Sequence, residues 1–176
     1  MYILGDIGNS ETKVYLVNSK DRIIRNINLP TKQINNNTLN LKFRYLVKDF
    51  KTIKKVLFCS VVPKSFNLIK RFLSKKLNQK CFEVKDLKLR SLINIKVNFK
   101  QVGSDRLTNA ISLLNKKDNF IILDFGTATT FDVITKKSYR GGVIAPGIKI
   151  SLNTLSDKAT LIPKINLKQI KKVIGI

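Results

Sequence analysis

The sequence has no histidine and no tryptophan, and only two cysteines among its 176 residues. Without histidine there can be no imidazole base, no histidine metal ligand and no serine-histidine triad. The two cysteines, Cys59 and Cys81, are too few for a disulfide framework or a zinc site. Cys59 lies in an apolar run, which predicts a buried thiol. Acid–base chemistry in this protein therefore has to come from carboxylates.

The sequence also lacks any apolar stretch long enough to span a bilayer. Its first residues, Met1 to Asp6, do not have the basic and then apolar order of a signal peptide. Together with the low cysteine content, these features predict a cytoplasmic protein that has no membrane partner.

Acidic residues are scarce: 11 of them stand against 34 lysines and arginines, so that the formal net charge is +23. Such an excess often marks nucleic-acid binding, but here the basic residues are spread along the whole chain instead of forming one stripe. Lysines distributed in this way usually form a solvated surface. We therefore predict no specific nucleic-acid partner, although the charge can attract an anionic substrate such as ATP.

There is no P-loop motif, so a phosphate site would need another source. The segment Asp6-Ile7-Gly8-Asn9-Ser10-Glu11-Thr12 recurs as Asp124-Phe125-Gly126-Thr127-Ala128-Thr129-Thr130, with Asp, Gly and Thr at the same spacing. Each copy follows apolar residues and precedes a β-prone run, which predicts a strand, a tight turn and a strand. Ordinary hairpins are the alternative for either copy alone, but the repetition favours two phosphate-binding turns that clamp one nucleotide.

The residue types in these turns suit phosphate and cations. Glycine lets the backbone approach a polyphosphate, and the aspartate at the end of the strand can hold Mg²⁺ through water. In the first turn Lys13 can neutralise charge, although it could equally be a surface lysine. Asp124 follows a very apolar strand, where a carboxylate is unfavourable without a cation or a hydrogen-bond network. Neutral oxygens near it come from Thr127, Thr129 and Thr130.

The segment Gly103-Ser104-Asp105-Arg106 lies where a strand is expected to lead into a helix. Asp105 could take a proton from an attacking hydroxyl, and Arg106 could bind a carboxylate in bidentate fashion. The alternative is helix capping by Ser104 or Asp105, with Arg106 on the surface. The two phosphate turns elsewhere in the chain favour the catalytic interpretation.

Apolar spacing predicts the remaining elements. We expect a strand at 22–29, a helix at 39–50, a strand at 55–62 that is buried on both faces, and a helix at 65–77. A further helix is expected to open at 102–107, and the last one passes through Leu152, Leu155 and Ala159 and stops near Pro163. No linker rich in proline or glycine separates the halves, so they should pack together with a cleft between them.

Five segments, taken in order, resemble the type III pantothenate kinases of the acetate and sugar kinase/Hsp70/actin superfamily. They are Asp6 to Lys13, Ser60-Val61-Val62-Pro63, Gly103-Ser104-Asp105-Arg106 with Asn109-Ala110, Asp124 to Asp132, and Gly141 to Gly147. The resemblance covers essentially the whole chain. It implies an α/β fold of the actin-like ATPase (ribonuclease H-like) type, duplicated, with a first half at 1–118 and a second half at 119–176.

The resemblance also implies roles. The family phosphorylates pantothenate to 4′-phosphopantothenate, the first step of coenzyme A biosynthesis, with ATP and Mg²⁺ and with K⁺ or NH₄⁺, as a homodimer. The base is Asp105, Asp124 holds the monovalent cation and Asp6 holds Mg²⁺ through water. The expected pantothenate-binding residues are Gly103, Ser104, Asp105 and Arg106. The expected ATP-binding residues are Asp6, Ile7, Gly8, Asn9, Ser10, Glu11, Thr12, Lys13 and Thr127.

Two departures from the family pattern are visible. Where the family has Tyr-x-Asn-Pro, this chain has Lys96-Val97-Asn98-Phe99. The family also continues beyond a step like Ile174-Gly175 into a threonine-containing helix and further elements that enclose adenosine, so the second half is expected to be incomplete and one face of its sheet uncovered. Two other interpretations stay open. One is a non-enzymatic regulator like the Bvg accessory factor, and the other is an inactive truncated remnant.

Overall fold

The computed structural model describes residues 1–114 and 118–164, in which nine strands form two sheets and four α-helices pack beside them. The strands are Tyr2–Ile7 (β1), Glu11–Val17 (β2), Ile23–Pro30 (β3), Lys55–Ser60 (β4), Cys81–Glu83 (β5), Asn94–Ile95 (β6), Phe120–Phe125 (β7), Ala128–Thr135 (β8) and Ser138–Pro146 (β9). The helices are Asn36–Leu46 (α1), Pro63–Ser74 (α2), Ser104–Ser112 (α3) and Ile148–Lys158 (α4). The predicted α/β class is confirmed.

The first sheet has the strand order β3-β2-β1-β4-β5. The hairpins β1-β2 and β2-β3 are antiparallel, whereas β4 pairs in parallel with both β1 and β5. The parallel pairs need long crossovers, and these carry α1 and α2. The two helices contact each other through Phe43 and Phe72, whose ring centroids lie 5.3 Å apart.

Strand β4 is covered on both faces, as its continuous apolar sequence predicts. Val56 and Phe58 belong to the core formed with α1 and α2. Leu57 and Cys59 point to the other face and pack in a second core that contains Leu107 of α3. Because side chains alternate along a strand, β4 joins the two cores and carries α3 against the first sheet.

The second sheet has the order β6-β9-β8-β7, with antiparallel pairs β7-β8 and β8-β9 and a short parallel pair β6-β9. Helix α3 contacts both β4 of the first sheet and β8 of the second. The short strand β6 comes from a part of the chain before residue 118. The division into halves at 1–118 and 119–176 stays a prediction.

Apolar side chains are exposed on β7 and β9 within the described ranges. Ile121, Phe125 and Val143 are 65%, 62% and 64% exposed, and the register places all three on one face of the sheet. This agrees with the expectation of an uncovered face on the second sheet. The segment around Ile174-Gly175, expected to lead into further elements, lies outside the described residues. Among 1–114 and 118–164, no helix is long and apolar enough to cross a membrane.

Two helix boundaries and one strand differ from the predictions. Helix α1 ends at Leu46, because Val47 has an extended backbone with φ −122° and ψ 114°. Helix α2 begins at Pro63, since proline suits the first turn of a helix, where its missing N–H leaves no bond unmade. The segment Gly141 to Gly147, for which no strand was predicted, forms most of β9. Gly141 has a φ of +104° and lies at an irregularity in the β8-β9 pairing, so it suits glycine.

Candidate active site

The first of the two repeated segments forms the turn between β1 and β2. Ile7 is opposite Thr12 in the register, and the Gly8 N–H donates to the Glu11 carbonyl at 3.0 Å. Asp6 lies opposite Lys13 on the neighbouring strand. The predicted strand, turn and strand are therefore present, and they place a carboxylate and a lysine side by side.

The second segment forms the equivalent turn between β7 and β8. The Gly126 N–H donates to the Ala128 carbonyl at 2.9 Å, and the Gly147 N–H donates to the Thr127 carbonyl at 3.0 Å. A Cβ atom at Gly147 would lie 2.3 Å from the Gly126 oxygen. Only glycine therefore lets the start of α4 approach this turn so closely.

The two turns face each other across one cleft. The Oγ of Ser10 and the Oγ1 of Thr127 lie 2.8 Å apart, so that the turns are in contact. The cleft between them has a volume of about 370 Å³. Its lining contains Asp6, Gly8, Asn9, Ser10, Glu11, Lys13, Val61, Asp105, Asp124, Phe125, Gly126, Thr127, Ala128 and Thr130. The structure thus brings most of the sequence-predicted residues into one place.

The side chains of Ile7 and Thr12 do not face this cleft, because both are fully buried. Ile7 belongs to the core under α1 and α2. The Thr12 hydroxyl lies 2.9 Å from that of Thr31, which donates to the Gly8 carbonyl at 2.7 Å. These side chains support the first turn from behind. Any contact that Ile7 or Thr12 makes with a nucleotide would have to come from the backbone.

Three aspartates meet behind the turns. Asp6, Asp105 and Asp124 line the cleft and also an adjoining recess of about 260 Å³. Partial burial raises the pKa of Asp6 above its ordinary value, and repulsion from Asp105 adds to this, whereas Lys13 acts in the opposite direction. Such a group of carboxylates attracts cations.

Asp105 lies in the first turn of α3, and its Oδ1 accepts the backbone N–H of Arg106 at 2.8 Å. The N-cap of the helix is Gly103, which makes no side-chain cap bond. Neither Ser104 nor Asp105 is therefore the N-cap that the capping alternative required. A Cβ atom at Gly103 would lie 2.3 Å from Asp105 Oδ1, so the glycine makes room for the carboxylate.

Ser104 fastens α3 to β4. Its hydroxyl donates to the Ser60 carbonyl at 2.8 Å and accepts the Ser60 N–H at 2.9 Å. The residue is 1% exposed, so its side chain packs inside the protein. The neighbouring Cys59 is free and buried, as predicted, and burial raises the pKa of its thiol to about 11.

Arg106 points away from the cleft lining and towards the second sheet. Its Nε donates to Asp132 Oδ1 at 2.8 Å, and its Nη2 lies 2.7 Å from the same oxygen. Tyr139 donates its hydroxyl to that oxygen as well. Asp132 and Tyr139 have no role predicted from the sequence. An aspartate between the apolar residues Phe131 and Val133 was the available sign of a buried polar network.

Asn109, one α-helical turn after Asp105, is a third residue without a predicted role. Its Nδ2 donates to Asp124 Oδ2 at 3.1 Å. Helix α3 therefore contacts the second hairpin at two points, through Arg106 and through Asn109. Both contacts join a residue of the predicted first half, 1–118, to a residue of the predicted second half, 119–176.

The carboxylates of the cleft suit weakly bound cations better than a metal ion whose ligands all come from the protein. No group of three or more metal-ligating side chains is close enough to hold an ion among the described residues. Mg²⁺ usually binds one or two carboxylates and completes its shell with water and substrate phosphates. Asp6 lines the cleft and suits such a water-completed Mg²⁺ site. Asp124 lines the same cleft with Thr127 and Thr130, whose hydroxyls suit a monovalent cation.

Comparison with known proteins decides the family. The family model for type III pantothenate kinase matches residues 2–176. The chain belongs to the type III pantothenate kinase family. The Type III pantothenate kinase of Pelagibacter ubique is 62% identical over 176 residues, which cover 100% of this chain and 71% of that protein. The one from Desulforapulum autotrophicum is 34% identical and is matched over 70% of its length.

Solved structures agree on the fold. A Baf family transcriptional activator from Campylobacter jejuni has a TM-score of 0.52 at 20% identity, over 97% of this chain and 68% of that one. A 2-dehydro-3-deoxygalactonokinase protein from Sinorhizobium meliloti has a TM-score of 0.51 at 8% identity, over 92% and 58%. At such identities the likeness concerns the fold alone. The fold of this family member is the α/β fold of actin-like ATPases and sugar kinases.

Proposed function

We propose that this family member transfers the γ-phosphoryl group of ATP to the hydroxyl of pantothenate, which gives 4′-phosphopantothenate for coenzyme A biosynthesis. The observation that carries this proposal is the single cleft in which both glycine turns and Asp105 meet. Phosphoryl transfer requires mainly positioning and charge neutralisation. Backbone N–H groups of the turns, the hydroxyls of Ser10 and Thr127, and Lys13 can supply both.

The proposed nucleotide site consists of Asp6 to Lys13 with Thr127. When Mg²⁺ is bound, it neutralises phosphate charge, and Asp6 would hold it through water. Asp124 would hold K⁺ or NH₄⁺, with Asn109 fixing one of its carboxylate oxygens. Burial, and after it repulsion from Asp105, raises the pKa of Asp6, and cations that enter the group would relieve the repulsion, which supports cation binding.

The proposed pantothenate site lies at the segment Gly103 to Arg106, in which Asp105 faces the cleft and the Arg106 side chain is turned to Asp132. Asp105 lines the cleft beside both turns, so it can accept the hydroxyl proton as the oxygen attacks phosphorus. At the position of the usual proline, Phe99 lies under the ammonium group of Lys85, 5.1 Å from Nζ to the ring centroid. This packing gives Phe99 a structural role beside the substrate motif.

The test is transfer of labelled phosphate from ATP to pantothenate with Mg²⁺ and K⁺. Asp105→Asn keeps the shape of the side chain but removes the base, so turnover should fall by about 10²–10⁴-fold. Asp118→Asn makes the same charge change at an exposed position and should turn over like the wild type. Wild-type turnover in Asp105→Asn would remove Asp105 from the mechanism, and no product from the wild type would reject the function.

The presence of Asp105 and Asp124 in one cleft favours the kinase over a non-enzymatic regulator, which needs neither carboxylate, and over an inactive remnant. We further propose a cytoplasmic homodimer. The exposed apolar side chains on β7 and β9 are of the kind that subunit contacts bury. Sedimentation of the purified chain would test this, since a monomer at all concentrations contradicts the dimer.

A further inference from the structure

Asp132 is a fully buried carboxylate near the middle of β8. Its Oδ1 accepts the Nε–H of Arg106 at 2.8 Å and the hydroxyl of Tyr139 at 2.5 Å, and Nη2 of Arg106 lies 2.7 Å from the same oxygen as an ion-pair contact. The other oxygen, Oδ2, accepts the Thr130 hydroxyl at 3.4 Å. A carboxylate without water is tolerated only when it is paired and hydrogen-bonded, and this one is.

The surroundings leave the Arg106 guanidinium little freedom. Its side chain is 10% exposed, and β9 closes over it at Gly142, where a Cβ atom would lie 2.8 Å from Nη2. Nη2 is buried and makes no hydrogen bond within the described residues, so that the ion pair with Asp132 at 2.7 Å is what stabilises it there. The hydrogen bond from Nε, the ion pair and the close approach of Gly142 together hold the planar guanidinium in orientation as well as in place.

This anchor is next to the proposed base. The backbone N–H of Arg106 donates to Asp105 Oδ1 at 2.8 Å. When Asp132 fixes the Arg106 side chain, it therefore also fixes the peptide group that orients the Asp105 carboxylate. Asp132 belongs to the second sheet and Asp105 to α3, so the link sets how far the base lies from the second phosphate turn.

We infer that Asp132 is a positioning residue for phosphoryl transfer, which acts by anchoring Arg106 and thereby aiming Asp105 into the cleft. The inference rests on the proposed function. It assigns Asp132 no contact with ATP or pantothenate. Its loss should therefore lower kcat and leave the KM values for both substrates nearly unchanged, because a base that is out of line slows the chemical step only.

The first experiment compares Asp132→Asn with Tyr139→Phe in the full chain, at a temperature where circular dichroism shows both to be folded. Asp132→Asn removes the charge that holds Arg106, and we expect kcat to fall about 100-fold with KM changed less than about threefold. Tyr139→Phe removes one bond to the same oxygen but leaves the ion pair, and its kcat should stay within about threefold of the wild type. An Asp132→Asn enzyme with the wild-type kcat per folded molecule overturns the inference.

The second experiment separates positioning from stability. Replacement of a buried ion pair by apolar residues of similar size often preserves stability. The double variant Arg106→Met/Asp132→Leu should therefore melt above either single variant, yet turn over as slowly as they do. Recovery of kcat together with the melting temperature would mean a merely structural pair, against the inference. Arg106→Lys keeps a charge for Asp132 and should recover part of the kcat lost in Arg106→Met.

Two further outcomes are informative. If Arg106→Met raises the KM for pantothenate alone while Asp132→Asn changes nothing, Arg106 acts by binding substrate directly, and the inference is wrong. If the wild type makes no phosphopantothenate at all, the proposed function fails instead. In that case the melting data on the double variant still report whether Asp132 and Arg106 form one unit.

Discussion

Ser10 and Thr127, one from each glycine turn, place their hydroxyl oxygens 2.8 Å apart across the cleft. Ser10 follows a strand of the first sheet, and Thr127 precedes a strand of the second. The contact joins the two turns at the cleft where we propose that the phosphates of ATP bind. A bound nucleotide would therefore take over these hydroxyls, since phosphate is the stronger acceptor.

The first prediction concerns these two hydroxyls. Ser10→Ala and Thr127→Ala should each raise the KM for ATP about tenfold, because each removes a hydrogen bond to a charged group. Thr127→Ser retains the hydroxyl and should stay close to the wild type, and so should Ser19→Ala in the exposed turn after β2. Steady-state kinetics at saturating pantothenate would measure this. An unchanged KM in both alanine variants would mean that ATP binds without these side chains.

The second prediction concerns Gly103. A methyl group there would meet Asp105 Oδ1 at 2.3 Å, so Gly103→Ala must push the carboxylate out of position. We expect kcat to fall about 100-fold. Ser112→Ala, at the exposed end of the same helix, serves as a control for general effects on α3. Full activity in Gly103→Ala would show that Asp105 has another position from which it can act.

The third prediction uses the raised pKa of Asp6. A carboxyl whose pKa is raised in the folded protein favours folding at low pH, and this advantage is lost as the pH rises through the folded pKa. At neutral pH the ionised Asp6 therefore costs stability, and Asp6→Asn should unfold at higher denaturant concentration. We expect about 0.5 kcal/mol, since the cleft is open to solvent and screening is strong.

The pH dependence checks the cause. Urea unfolding from pH 7 towards pH 4 should show the advantage of Asp6→Asn shrinking and vanishing near the ordinary pKa of 3.8. Asp118→Asn controls for the change in net charge. Lower stability of Asp6→Asn at neutral pH would contradict the burial and the repulsion that raise the pKa of Asp6.

The fourth prediction concerns nucleic acid. With a net charge of +23 the protein should bind DNA at low salt. Because the basic residues are dispersed, the affinity should drop by about 10³-fold or more between 50 and 200 mM salt and show no preference for sequence. Fluorescence anisotropy with labelled duplexes would measure it. A sequence-specific footprint at physiological salt would favour the regulator hypothesis over the kinase.

The periodicity of the chain was enough to predict most elements of the fold. The strand at 22–29 is observed as Ile23–Pro30, and the run at 55–62 is observed as the doubly buried β4. The two-residue strand β6 was not predicted, because a strand so short has no pattern of its own and forms only when β9 offers it a partner. Strand β9 was not predicted for a different reason. Its Gly141 weakens the sequence pattern of a strand, although glycine permits the irregular pairing at that position.

The sequence by itself predicted most residues that line the candidate site and the kind of chemistry open to them, although not Asn109, Asp132 or Tyr139. These predictions depend on short segments and on composition: the two glycine turns, the segment Gly103 to Arg106 and the absence of histidine. Such features can be read directly from neighbouring residues in the sequence. Only the tertiary structure decided that Thr12 supports its turn from inside and that Ser104 fastens α3 to β4. The same holds for the pairing of Arg106 with Asp132, 26 positions later in the chain. Such long-range pairs depend on how α3 lies between the two sheets. The position of α3 is set by the packing of segments that are distant in the sequence, and local residue spacing does not specify that packing.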